Sequence, residues 1–200
     1  MIKFFSNREL ARNLDINLAK WKRWSREFLP PDPLGGMQSG YARQYSPDEA
    51  FTVHLGGHLV ADLKFTIPEA KQVHKELHGW LESNGFYFDV KGEAATDSDE
   101  RIPVKRYLVF ICREPRIGNR NIDFFYIVRG IISNERVPYK GFEVMKEIYE
   151  ETIIRPRKEY ISDHNIDIVI MLNITDVLRH FVARLDLDRV HYPTLSREDR

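Results

Sequence analysis

Cysteine is nearly missing from this chain of 200 residues. The single one, Cys112, excludes an intramolecular disulfide and a cysteine-built zinc site. Glycine and proline are sparse as well, at 11 and 10, so the chain is not a low-complexity tail. Net charge is absent, with 30 Lys and Arg set against 30 Asp and Glu. No apolar run approaches the roughly 18–20 residues that span a bilayer. The opening segment turns polar after five positions and lacks the apolar core of a signal peptide. A soluble, cytoplasmic protein with no membrane partner is the expectation. Nucleophile motifs, phosphate-binding glycine loops and dinucleotide fingerprints are also lacking, so no enzymatic activity and no cofactor are expected.

What is present is enough apolar and aromatic residue, 42% and 12%, to build a core. The charge is also unevenly spread. Residues 1–45 hold eight basic side chains and four acidic ones, while residues 46–84 hold three basic and six acidic. A local cationic excess is the footprint of a polyanion-binding surface, although solvated basic helix faces are common.

Ser6 and Glu9 form a capping box that starts a helix through about Leu14. Asp15 to Asn17 reads as a turn, and Asn17 caps a second helix. Leu18, Trp21, Trp24 and Phe28 recur at helical spacing there, with Lys20, Lys22, Arg23 and Arg26 mostly off that stripe. Pro30-Pro31 ends it. Two short helices joined by a turn form a helix-turn-helix, and the alternative is an ordinary amphipathic helix pair. Gly35, Gly36 and Gly40, then Tyr41 to Tyr45, suggest a loop and a hairpin arm, which makes the unit winged. Ser46, Pro47 and Glu49 open a third helix to about Leu63, with Gly56-Gly57 expected to weaken or bend it. Thr66 and Glu69 open a fourth, burying Ile67, Ala70, Val73, Leu77, Trp80 and Leu81 and capped by Gly85.

Beyond Gly85 the pattern turns β-rich. Strands are expected at Phe86–Val90, Val104–Cys112 and Ile122–Ile132, a helix over Gly141–Ile153, a buried strand at Ile166–Leu172 and a last helix at Asn173–Leu185. Glu93–Glu100 reads as a loop, Gly118-Asn119 as a turn, and the tail from Asp188 as frayed. Lys146, Glu147, Glu150 and Glu151 read as a solvated helix face, and Phe124-Phe125-Tyr126 as sheet core. The fold class is therefore α+β, with domains at 1–84 and 85–200 and a mostly antiparallel sheet in the second.

Several matches in order make residues 1–75 resemble the DNA-binding domain of MerR-type transcriptional regulators. They are Glu9-Leu10-Ala11 with Leu14, Lys22-Arg23-Trp24 with Arg26-Glu27, Phe28-Leu29-Pro30-Pro31, Gly40 to Ser46, and Leu63 to Ala70. The chain departs from that family at Phe28, where glycine is usual, and at Ala42, one residue more than the common wing pattern. It departs again at Gly85, which stops a helix that many members continue. The resemblance implies a winged helix-turn-helix that binds double-stranded DNA, with a recognition helix in the major groove and a wing on the backbone or minor groove. Lys20, Lys22, Arg23, Arg26, Tyr41 and Arg43 are the expected DNA contacts. Trp24, Tyr45 and Trp21 are read as core. A homodimer is the expected state. Any small-molecule effector is sought in the C-terminal half. Two further readings stay open: an excisionase-like or architectural DNA protein, and an enzyme whose chemistry lies in residues 86–200.

His54 with His58, and His74 with His78, lie four apart and share helix faces. Core or surface histidines are preferred there over a metal site, so no metal is expected. Cys112 reads as a small core residue, and His164 with Asp167 as a strand-edge pair lacking a third partner.

Overall fold

Single polar side chains fix where the first four helices begin. In the computed structural model, which describes residues 3–32, 42–87, 106–113, 124–155, 166 and 168–187, helix α1 spans Asn7–Asn13 and α2 spans Leu18–Phe28. Helix α3 spans Pro47–Ala61, α4 Ile67–Ser83 and α5 Ile174–Leu185. Ser6, Ser46 and Thr66 accept from the amides of Glu9, Glu49 and Glu69, and those carboxylates reach back to the cap amides. Asn17 Oδ1 accepts from the amides of Ala19 and Lys20 at 2.9 and 3.2 Å.

Helix α1 closes in a Schellman turn. Asp15 takes φ 55°, Ile16 N donates to Ala11 O at 2.8 Å, and Asp15 N donates to Arg12 O at 3.3 Å. Gly85, at φ 73°, closes α4 the same way, with Phe86 N on Leu81 O.

The chain divides into two compact units, Met1–Lys91 with Val177–Tyr192, and Gly92–Asp176 with Pro193–Arg200. In the first, strands β1 (Phe5–Ser6) and β2 (Gln44–Tyr45) pair antiparallel, so the start of α1 and the start of α3 are tied together. Leu10, Trp21, Phe51, Leu59, Leu81 and Phe181 are fully buried in this unit. Each such side chain contributes about 1.5–3 kcal/mol on burial. Along α4, Ala70, Val73, Leu77 and Leu81 are buried as expected, whereas Ile67 and Trp80 are only half-buried.

The second unit is a four-stranded antiparallel sheet in the order β5-β4-β3-β6, built from β3 (Arg106–Arg113), β4 (Phe124–Tyr139), β5 (Phe142–Ile154) and β6 (Ile168–Asn173). Val109, Ile111, Tyr126, Val128 and Leu172 form its buried face. Phe124-Phe125-Tyr126 is sheet core, and Cys112 is buried, which pushes its thiol pKa up. The molecule is thus α+β, with five helices and a four-stranded antiparallel sheet among the described residues.

Three local expectations are corrected. Gly141–Ile153 is not helical: nearly all of it is strand β5, joined to β4 by a two-residue turn in which Lys140 and Gly141 both have positive φ. That is the type I′ geometry that suits a twisted hairpin. Lys146, Glu147, Glu150 and Glu151 therefore lie on an exposed strand. The strand expected at Ile166–Leu172 is β6, but it is an edge strand whose Ile168, Val169 and Met171 are exposed rather than buried. Phe86 and Tyr87 are buried but belong to no strand, and residues 88–90 lie outside the described ones. Helix α3 runs through Gly56-Gly57 to Ala61, as expected. The readings at Glu93–Glu100, Gly118-Asn119, His164, Asp167 and the tail from Asp188 all lie outside the described residues.

Candidate functional site

Helix α2 has two faces with different tasks. Trp21, Trp24 and Ser25 are buried on one side. Lys20, Lys22, Arg23 and Arg26 are all exposed on the other. Lys22 and Arg26 are four apart, and Arg23 lies three from both Lys20 and Arg26, so the cations share one broad solvent face.

The buried face is held tightly. Trp21 meets the Tyr45 ring edge-on at 5.8 Å. The Tyr45 hydroxyl donates to Asn7 Oδ1 at 2.7 Å and lies 2.8 Å from Ser25 Oγ, linking α1, α2 and β2 through one buried oxygen. Trp24 lies flat against Gly57: a Cβ there would come within 2.3 Å of its ring. Phe28 lies against Gly56, where a Cβ would come within 2.6 Å. The paired glycines are sockets that let α2 approach α3 closely.

Charge on the exposed face is unbalanced. Glu27, its acidic residue, is taken by Lys71 of α4 at 2.7 Å. The Lys71 hydrogen bond, then its charge, holds the Glu27 carboxyl below the usual range, with Arg23 and Arg26 adding to it. Among the described residues, Lys20, Lys22, Arg23 and Arg26 have no hydrogen bond or ion pair from their side chains.

Arg43 does not join them. Its guanidinium donates to Pro30 O at 2.9 Å and to Glu49 Oε1 at 2.7 Å, and it lies over the Tyr45 ring at 5.5 Å. Its side chain is only 15% exposed. It therefore clamps the end of α2 to the start of α3. Tyr41 and the arm before it lie outside the described residues.

Each histidine pair has protein partners of its own. Burial, then the neighbouring His58, pushes the pKa of His54 down to about 4, and its Nδ1 has no partner. His58 Nδ1 pairs with Asp62 at 2.6 Å. His74 lies 3.2 Å from the Tyr87 hydroxyl, and burial and then His78 push its pKa down to about 4. His78 stacks on Tyr87 at 5.0 Å. No group of three potential ligands able to hold a metal occurs among the described residues. A cavity of 420 Å³ lies in the first unit, lined by Leu14, His54 and His58 and by Val177, His180, Ala183 and Arg184 of α5.

No helix among the described residues is long and apolar enough to cross a membrane. No family model matches the chain, and neither a curated protein nor a solved structure matches it.

Proposed function

We propose that the first unit is a winged helix-turn-helix of the MerR type that binds double-stranded DNA, and that the chain is a cytoplasmic transcriptional regulator rather than an enzyme. One observation carries this reading: four cations that have no ion-pair partner among the described residues occupy the solvent face of a short helix whose opposite face is locked in the core. Such a helix offers charge to phosphates and arginine forks to guanine edges in the major groove. In this reading Arg23 is the base-reading side chain, and Lys20, Lys22 and Arg26 set affinity through phosphate contacts. Arg43, with one donor on Pro30 and one on Glu49, holds the base of the wing and offers its remaining N–H groups to the DNA backbone. Tyr41 contacts the backbone from the wing. The protein acts as a homodimer on two half-sites, because one such reader spans few base pairs.

The test is selection from a random duplex pool, followed by anisotropy titration over a salt series. The expected result is a recovered consensus and a binding constant that falls steeply with salt. Each lysine removed should flatten the salt slope by roughly one unit. Arg23→Glu should abolish binding with the fold intact by circular dichroism. Failure to retain any duplex, or unchanged binding by Arg23→Glu, overturns the reading. Binding without sequence preference would replace the regulator by an architectural DNA protein.

A further inference from the structure

Strand β5 is an edge strand of 13 residues, and it is exposed almost throughout. Among the described residues, β3 pairs with β4 only as far as Ile131, and from Ser133 to Tyr139 β4 pairs with β5 alone. The result is a two-stranded arm with apolar side chains in solvent, including Phe142 at 74%, Met145 at 56% and Ile148 at 38% exposed. A lone two-stranded hairpin is marginal in water, and a long open edge is a template for another strand. Nucleic acid does not suit this edge, because β5 carries four glutamates and one lysine.

We infer that β5 pairs antiparallel with β5 of a second copy about a twofold axis at Ile148, joining two sheets into one of eight strands. The charge pattern selects that register. An axis normal to the sheet keeps like faces together, so residues of equal parity meet. Centred on Ile148, Lys146 faces Glu150 of the other copy twice, Val144 faces Thr152 and Phe142 faces Ile154. No like charges meet. Every other register centred between Met145 and Glu150 fails. A centre at Met145 opposes Glu143 and Glu147. Centres at Lys146, Glu147 or Glu150 put a charge against itself, and one at Tyr149 opposes Glu147 and Glu151. Glu147 and Glu151 already have partners in their own sheet, Arg106 and Arg129, at 2.6 and 2.8 Å. Among the described residues, Lys146 and Glu150 have no ion-pair partner. The pairing aligns about 44 Å of edge at about 3.4 Å per residue and forms about a dozen backbone hydrogen bonds. The same charges discourage slipped pairings.

This names the contact surface of the homodimer in the proposed function, and it rests on that reading only for the use of the dimer. Its test is run without DNA, so the two can fail separately. Sedimentation equilibrium of the full chain should give a dimer. Lys146→Glu and Glu150→Lys should each weaken it roughly tenfold or more, and the double exchange should restore it. Ile148→Cys should cross-link to itself under mild oxidation, while Phe142→Cys, at the far end of the paired strands, should not. The native Cys112 is buried. A monomeric wild type overturns the inference. So does a dimer indifferent to the charge exchange, cross-linking at residue 142 instead of 148, or open-ended polymers from β5 meeting β6.

Discussion

Replacing Gly57 by alanine tests whether α2 is held as described. In an open helix interior the exchange stabilises, because alanine has the better helix propensity by about 0.8–1 kcal/mol. Gly79 of α4 supplies that reference, since a Cβ there meets nothing within 4 Å. At Gly57 the added carbon would lie 2.3 Å from Cε3 of Trp24, a rigid and nearly buried ring. The ring must move, or α2 must lift from α3, and such overpacking costs about 1–3 kcal/mol. Set against the propensity gain, the net effect is a loss of about 0–2 kcal/mol for Gly57→Ala. Gly79→Ala should gain about 0.5–1 kcal/mol. Gly56→Ala should fall between them, because Phe28 is half-buried at the end of α2 and can swing outward. Urea titrations followed by tryptophan fluorescence measure all three. A Gly57→Ala protein as stable as Gly79→Ala would show that Trp24 does not rest on this glycine. The placement of the α2 cations would then lose its support.

The two depressed histidines set an acid limit on stability. Unfolded, each binds a proton near pH 6.5; folded, only near pH 4. The unfolded chain therefore holds more protons between these values. Stability is full above about pH 6.5 and falls as the pH drops towards 4, by up to roughly 3 kcal/mol per histidine. Denaturant midpoints from pH 7.5 to 4.5 should show this, and His54→Gln with His74→Gln should flatten the slope; an unchanged slope refutes it. Tyr45→Phe should cost about 1–3 kcal/mol, because Ser25, buried, loses its hydroxyl partner. Ser25→Ala added to Tyr45→Phe should recover part of that loss in the same titration, and full additivity would refute the shared bond.

Helix starts were legible in the sequence because caps are local. Ser6 with Glu9, Ser46 with Pro47 and Glu49, and Thr66 with Glu69 satisfy amide groups within four residues, and no distant contact can override them cheaply. The α2 cations were legible for the same reason, since spacing along one helix separates them from Trp21 and Trp24. The intramolecular partners of Arg43 were not, because Pro30 and Glu49 meet it only through the fold. The glycine sockets were read through propensity alone, which is blind to the rings that fill them. Strand β5 is the instructive failure. Phe142, Met145, Ile148 and Thr152 fit a helical period, yet Phe142, Val144, Ile148, Thr152 and Ile154 fit an alternating one equally well. Periodicity cannot choose between them. The deciding signal was two residues long: Lys140-Gly141 between Tyr139 and Phe142, a tight turn that starts a hairpin and fixes the register of every pair behind it. A β-branched strand folded back by such a turn needs no helix propensity, and once paired with β4 it leaves its other edge open.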